Sequence, residues 1–252
     1  MQQSGIHVGL DCLEEYNFRG GIMKRTTIIC IITALFFVLT AHGFAETKEV
    51  AKITNAIEVL DELGDIPEQS IPPALFGSAY GIAIIPSVLK VGFFASGRYG
   101  KGVLMVRTKT NRWSNPSFVY LAGAGFGFQA GAQSTDIVLV FKTKKSVDSI
   151  TSGKITLGGD ISVAAGPVGR FAGAGTDIML KAEIYSYSRN RGFFAGLSLE
   201  GAMLNIDKGA NVNFYQKPYI SAMEIFTNDD LMAPIIASKL RQCLIGYTRN
   251  RK

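Results

Sequence analysis

Histidine is almost absent from this sequence: its two copies, His7 and His42, both lie in the first 45 residues. Cysteine is equally sparse, with Cys12 and Cys30 in that same stretch and Cys243 alone in the rest of the chain. A body without histidine has no ordinary general base for a serine or cysteine nucleophile. One thiol cannot form an intramolecular disulfide, and no Cys/His spacing suited to zinc exists. Catalytic residues, cofactors and bound metals are therefore not expected. Charged residues make up only 18%, against 47% hydrophobic, which is the composition of a globular chain rather than a disordered one.

What is present divides the chain. Residues 1–22 read as an upstream extension that belongs to no domain. Met23, Lys24 and Arg25 then lead into the uncharged run Thr26–Thr40 and on to Gly43-Phe44-Ala45. A basic start, an apolar centre too short for a membrane span and a small-x-small site describe a secretory signal over 23–45. Residues 46–74 form an acidic helical leader, and 75–252 the main domain. Residues 46–70 carry seven Asp/Glu against Lys48 and Lys52, while residues 71–252 carry 21 Lys/Arg against 10 Asp/Glu. A basic body of this kind favours an anionic partner.

Val50, Ile53, Ile57 and Leu60 share one face of a helix over 48–63, with Gly64 as its stop. A short helix follows Pro72-Pro73. From Gly81 the pattern becomes β, with strands expected at 81–86, 102–108, 117–132, 135–141, 155–157, 161–165, 177–188, 193–199 and 202–206. Helices are expected at 144–150, 220–226 and 231–244. The fold class that follows is α+β: an antiparallel β-rich sandwich or part-barrel with an N-terminal amphipathic helix and C-terminal helices.

Several motifs fail as chemistry. Gly125-Phe126-Gly127-Phe128-Gln129-Ala130 matches a dinucleotide fingerprint, but its glycines alternate as on a strand and no helix follows. Asp136 and Asp177 each follow a threonine and lead into an apolar run, which suits turn capping better than a paired-acid hydrolase. Basic and aromatic residues do not interleave as in a nucleic-acid-binding motif, so no nucleic-acid partner is expected. Trp113 reads as core or as a marker of the turn 111–116.

The stretch Ile184–Gly201, IYSYSRNRGFFAGLSLEG, reads as a hairpin. Tyr185, Tyr187, Phe193, Ala195 and Leu197 form its core side, Arg189-Asn190-Arg191-Gly192 its turn, and Phe194 its exposed exception. Gly-Phe-Phe-Ala occurs at 92–95 and again at 192–195, flanked by basic residues both times.

Taken in order, AYGIAIIPSVLKVGF at 79–93, GRYGKGVLMVR at 97–107, TDIVLVFKTKKSVDS at 135–149, ITLGGDISVAAGPVGR at 155–170 and the hairpin at 184–201 resemble the SYLF domain family. These are lipid-binding modules related to yeast actin-binding endocytic proteins, and the arrangement here is like that of secreted bacterial members. The resemblance implies a non-catalytic module for anionic phospholipid at a membrane surface. Tyr80 stands where the family often has lysine, and the leader is acidic, which weighs against phosphoinositide specificity and actin binding. The expected lipid-binding residues are Lys90, Arg98, Lys101, Arg189 and Arg191 around Phe94 and Phe194. The expected location is peripheral, in the periplasm or at the outer-membrane surface of a bacterium. The alternative is an envelope structural or assembly factor contacting protein partners through residues 46–63.

Overall fold

The computed structural model describes residues 47–65, 71–92, 95–126, 131–167, 181–190, 193–197 and 199–249. Helix α1 (Lys48–Asp65) starts at Thr47, whose hydroxyl accepts from the Val50 amide at 3.3 Å. Ile53, Ala56, Ile57, Val59 and Leu60 are buried and Val50 partly so, which is the expected apolar stripe. The helix continues through Gly64 instead of stopping there. Helix α2 (Pro73–Gly77) follows, with Pro73 in the first turn, where its missing N–H costs nothing.

The strands are β1 (Gly81–Gly92), β2 (Ala95–Val106), β3 (Ser117–Phe126), β4 (Gly131–Phe141), β5 (Ile155–Thr156), β6 (Val163–Ala165), β7 (Ile184–Asn190), β8 (Phe193–Gly196) and β9 (Met203–Ile206). They form one sheet in the order β5-β9-β3-β2-β1-β4-β7-β6, with β8 also on β7. Between β4 and β5 lies α3 (Lys144–Ser152); α4 (Lys208–Tyr215), α5 (Ala222–Thr227) and α6 (Ile235–Arg249) close the chain. The fold is α+β, and of the two expected layouts it is the part-barrel, one continuous curled sheet rather than a two-sheet sandwich. All pairings are antiparallel except β6 with β7.

A bulge in β1 sets the geometry of everything near it. Pro86 cannot donate to a ladder, and Ser87 adopts a left-handed φ of 51°. Pairing with β2 shifts between Ile84 and Leu89, and pairing with β4 between Ile85 and Val88. The freed Ser87 amide donates to Asp136 Oδ1 at 2.8 Å. Asp136 therefore caps a bulge on the neighbouring strand rather than a turn of its own. β2 passes this point with Gly102, where an added Cβ would stand 2.0 Å from the Ile84 carbonyl oxygen.

Both sides of the sheet are buried before the bulge. Ile82, Ile84, Val103, Met105, Val138, Tyr185 and Tyr187 share one side, and Ala83, Ile85, Leu104, Leu121, Ile137, Leu139 and Leu204 the other. Helix α1 packs on β1, β2 and α6. On the same side Phe118 meets Phe214 of α4 edge-on at 5.2 Å.

The β7–β8 hairpin corrects the sequence reading. β7 runs through Asn190 and β8 begins at Phe193, so Arg189 and Asn190, expected in the turn, belong to strand β7, while Arg191 and Gly192 lie outside the described residues. The register pairs Tyr187 with Gly196, Arg189 with Phe194 and Ser188 with Ala195. In this register Phe194 pairs with Arg189, not with a residue of the serine row, as simple alternation has it. The two Gly-Phe-Phe-Ala copies are not equivalent either: Gly92 ends β1 and Ala95 begins β2, whereas Phe193–Ala195 all lie in β8. β7 starts at Ile184, not Asp177, which lies outside the described residues together with residues 127–130 of the fingerprint-like stretch. Its outer edge is shared: β6 covers Ile184–Ser186 and β8 covers Tyr187–Asn190. At the junction the buried Ser186 hydroxyl donates to the carbonyls of Ala164, at 3.1 Å, and of Leu197.

Candidate functional site

Beyond the bulge, β1 and β2 extend as a hairpin pairing Leu89 with Tyr99, Lys90 with Arg98, Val91 with Gly97 and Gly92 with Ser96. Alternation places Leu89, Val91 and Tyr99 on one side. The row continues from Tyr99 through Ala122 on β3 to Met203 on β9. These side chains are open to solvent: Leu89 by 49%, Val91 by 50%, Tyr99 by 50% and Met203 by 38%. Most large apolar side chains in the described strands are sealed, so a contiguous open row is informative.

Lys90 and Arg98 stand opposite each other on the other side of the hairpin. The Arg98 stem lies over Gly123, whose absent side chain makes room for it. Burial lowers the Arg98 pKa from its usual value, yet an arginine so placed remains a cation. Among the described residues neither Lys90 nor Arg98 has a carboxylate partner.

The other expected cations are differently placed. Lys101 lies on the Tyr99 side, with Nζ 2.7 Å from Asp207 Oδ2, and that hydrogen bond raises its pKa. Burial pushes the Asp207 carboxyl up, but Lys101 and the Ala210 amide outweigh it and hold the group below its ordinary range. Asp207 is also the N-cap of α4, accepting from Ala210 at 3.1 Å. Arg189 is closed against Asp136 on β4 and Glu62 of α1. Burial lowers its pKa while Glu58 opposes the shift. The structure thus brings together Lys90 and Arg98, and separates them from Lys101 and Arg189, each held by acid. Phe94, Arg191 and the Phe194 side chain lie outside the described residues.

Leu89, Val91, Tyr99 and Met203 were missed as site residues. The alternation Leu89-Lys90-Val91 was the available signal, but only knowledge of the bulge tells which side it faces. Other chemistry finds little support. Asp136 is occupied by Arg189 and the Ser87 amide, and burial raises the Cys243 thiol away from the reactive thiolate. Among the described residues no group of three metal-ligating side chains converges.

A family model described as Ysc84, Las17-binding protein actin regulator, matches residues 122–247. SH3 domain-containing YSC84-like protein 1 of Xenopus laevis is 35% identical over 205 residues, covering 81% of this chain and 60% of that protein. LAS seventeen-binding protein 3 of Saccharomyces cerevisiae is 41% identical over 174 residues, 68% of this chain and 38% of that protein. The SH3 domain-containing protein PJ696.02 of Schizosaccharomyces pombe is 40% identical over 176 residues, 68% and 40%. The chain thus spans between 38% and 60% of the length of these relatives, and the names that state a role describe binding or regulation, not catalysis. The chain belongs to the Ysc84 family, which carries the SYLF domain that its motifs resemble.

Proposed function

We propose that the protein is a non-catalytic module that binds anionic phospholipid surfaces, entering tip-first through the β1–β2 hairpin. The observation that carries the reading is the open row Leu89, Val91, Tyr99 and Met203, with Lys90 and Arg98 behind it and, among the described residues, no carboxylate paired with either. A hairpin inserted by its tip presents both sides to headgroups, so apolar and basic faces act together. Between Gly92 and Ala95 the sequence reads Phe93-Phe94, aromatic side chains of the kind that suit a membrane interface.

The energies suit a peripheral contact. Half-burying Leu89 or Val91 contributes about 1 kcal/mol each, and a cation near an anionic leaflet about 1 kcal/mol. Together they give about 4 kcal/mol, a roughly millimolar and reversible association that salt weakens. On this reading residues 23–45 direct export, and the surface met is that of the bacterial envelope; N-terminal sequencing of the exported chain should then find Glu46.

Co-sedimentation with phosphatidylcholine vesicles, with and without phosphatidylserine, tests the proposal. Binding should require the anionic lipid, fall with salt, and drop roughly thirtyfold or more in Lys90→Glu/Arg98→Glu and several-fold in Leu89→Ser. Binding that ignores lipid charge, or that these variants leave intact, overturns it. In that case a protein partner, the kind the yeast relatives' name states, becomes the better reading.

A further inference from the structure

At the ends of β1 and β2 remote from the hairpin turn, the sheet opens onto a second feature. Tyr80, Val106, Arg107 and the turn 108–110 enclose, with α3 and α5, a cavity of about 340 Å³. Its floor is apolar: Val106, Val147 and Phe226 are all buried. Its rim is basic, formed by Arg107, Lys109 and Lys144.

The charges around it do not cancel. Lys144 is matched by Asp148 at 2.6 Å, and Asp229 by Arg112 at 2.9 Å. Arg107 and Lys109 have no carboxylate partner among the described residues. Arg107 is also fixed in place. Its guanidinium carbon stands 4.0 Å from the centroid of the buried Trp113 ring, and Nη1 donates to the Asn111 carbonyl at 3.2 Å. A stacked guanidinium keeps further N–H donors for an incoming oxyanion and loses little freedom on binding it. Burial lowers its pKa from the ordinary value, which marks a partly desolvated cation.

We propose that this cavity binds a small anion bearing an apolar body, an aryl or alkyl phosphate or carboxylate. Arg107 and Lys109 take the charged end, and Val106, Val147 and Phe226 take the apolar end. The volume lies at the lower end of the ~300–1,000 Å³ typical of ligand sites, enough for one ring and its phosphate. Twelve residues of β2 separate the cavity from the hairpin turn, up to about 35 Å along the strand. That separation favours a soluble anion over a headgroup of the membrane the hairpin would meet.

The chain carries its own reporter, because Trp113 is its only tryptophan and Arg107 lies on it. Phenyl phosphate titrated into the full chain should change Trp113 emission saturably, in the millimolar range or tighter, and more strongly than inorganic phosphate does. Arg107→Gln and Lys109→Glu should each weaken the response about tenfold, while Lys90→Glu/Arg98→Glu should leave it unchanged. Lys109 lies on an exposed turn, so its replacement tests the site without threatening the fold. Phosphatidic-acid vesicles form the second arm. No saturable response to phenyl phosphate, a response to vesicles alone, or a response that both variants leave intact overturns the proposal.

Discussion

Arg189 Nε donates to Asp136 Oδ2 at 2.8 Å, while the same guanidinium closes on Glu62 of helix α1. Asp136 in turn holds the Ser87 amide, so one arginine ties β7, β4, the β1 bulge and the N-terminal helix together. It faces carboxylates rather than solvent, with 15% of its side chain exposed.

Arg189→Gln should therefore behave as a stability variant. Removing one partner of a partly buried ion pair leaves the acids uncompensated, at a cost of about 2 kcal/mol. Urea denaturation should show a lower midpoint at unchanged slope. Lys90→Glu, by contrast, should lie within about 0.5 kcal/mol of the parent. A parent-like midpoint for Arg189→Gln would remove the structural role assigned to it.

Asp207 makes a pH prediction. Its folded pKa lies below the unfolded value, so the carboxylate contributes stability above roughly pH 4, and that contribution is lost as pH falls through the folded pKa. Lys101 shifts the other way: its contribution is complete below about pH 10 and is lost as pH rises through its raised folded pKa. Asp207→Asn should flatten the acid limb of the stability profile while keeping a side-chain oxygen for the α4 cap. Asp207→Ala should lose the cap as well, about 1 kcal/mol more.

Gly102 should not tolerate a side chain. A methyl group there would lie 2.0 Å from the Ile84 carbonyl oxygen, and backbone cannot move aside as a flexible side chain can. Gly102→Ala is expected to destabilise by roughly 3 kcal/mol. Gly97→Ala, five residues earlier on the same strand with nothing within 4 Å, is the control and should stay within about 0.5 kcal/mol. Thermal unfolding of the pair decides the matter.

Much of this architecture was legible because it rests on local pattern. The stripe Ile53, Ile57, Leu60 announces α1, and apolar runs announce the central strands. Helix α4 was missed because Lys208–Tyr215 has little amphipathic contrast; its one signal was Asp207, a capping residue ahead of it. Side-chain direction was the larger difficulty. Simple alternation from Ile82 would place Lys90 with Ile82 and Ile84, but the extra residue at Ser87 reverses the parity and moves Leu89 and Val91 there instead. The candidate cations were visible by type and neighbourhood. Which of them are neutralised depends on Glu62, Asp136 and Asp207, acids far away in sequence that only folding brings near.

The shared outer edge of β7 has a consequence for self-association. A long bare strand at a sheet margin is a template on which other chains can stack. Here the strands at the two ends of the sheet order are fragments, β5 with two residues and β6 with three. The twelve-residue strands lie inside, already paired on both sides. Among the described residues the longest strands thus offer almost no free edge on which another chain could stack.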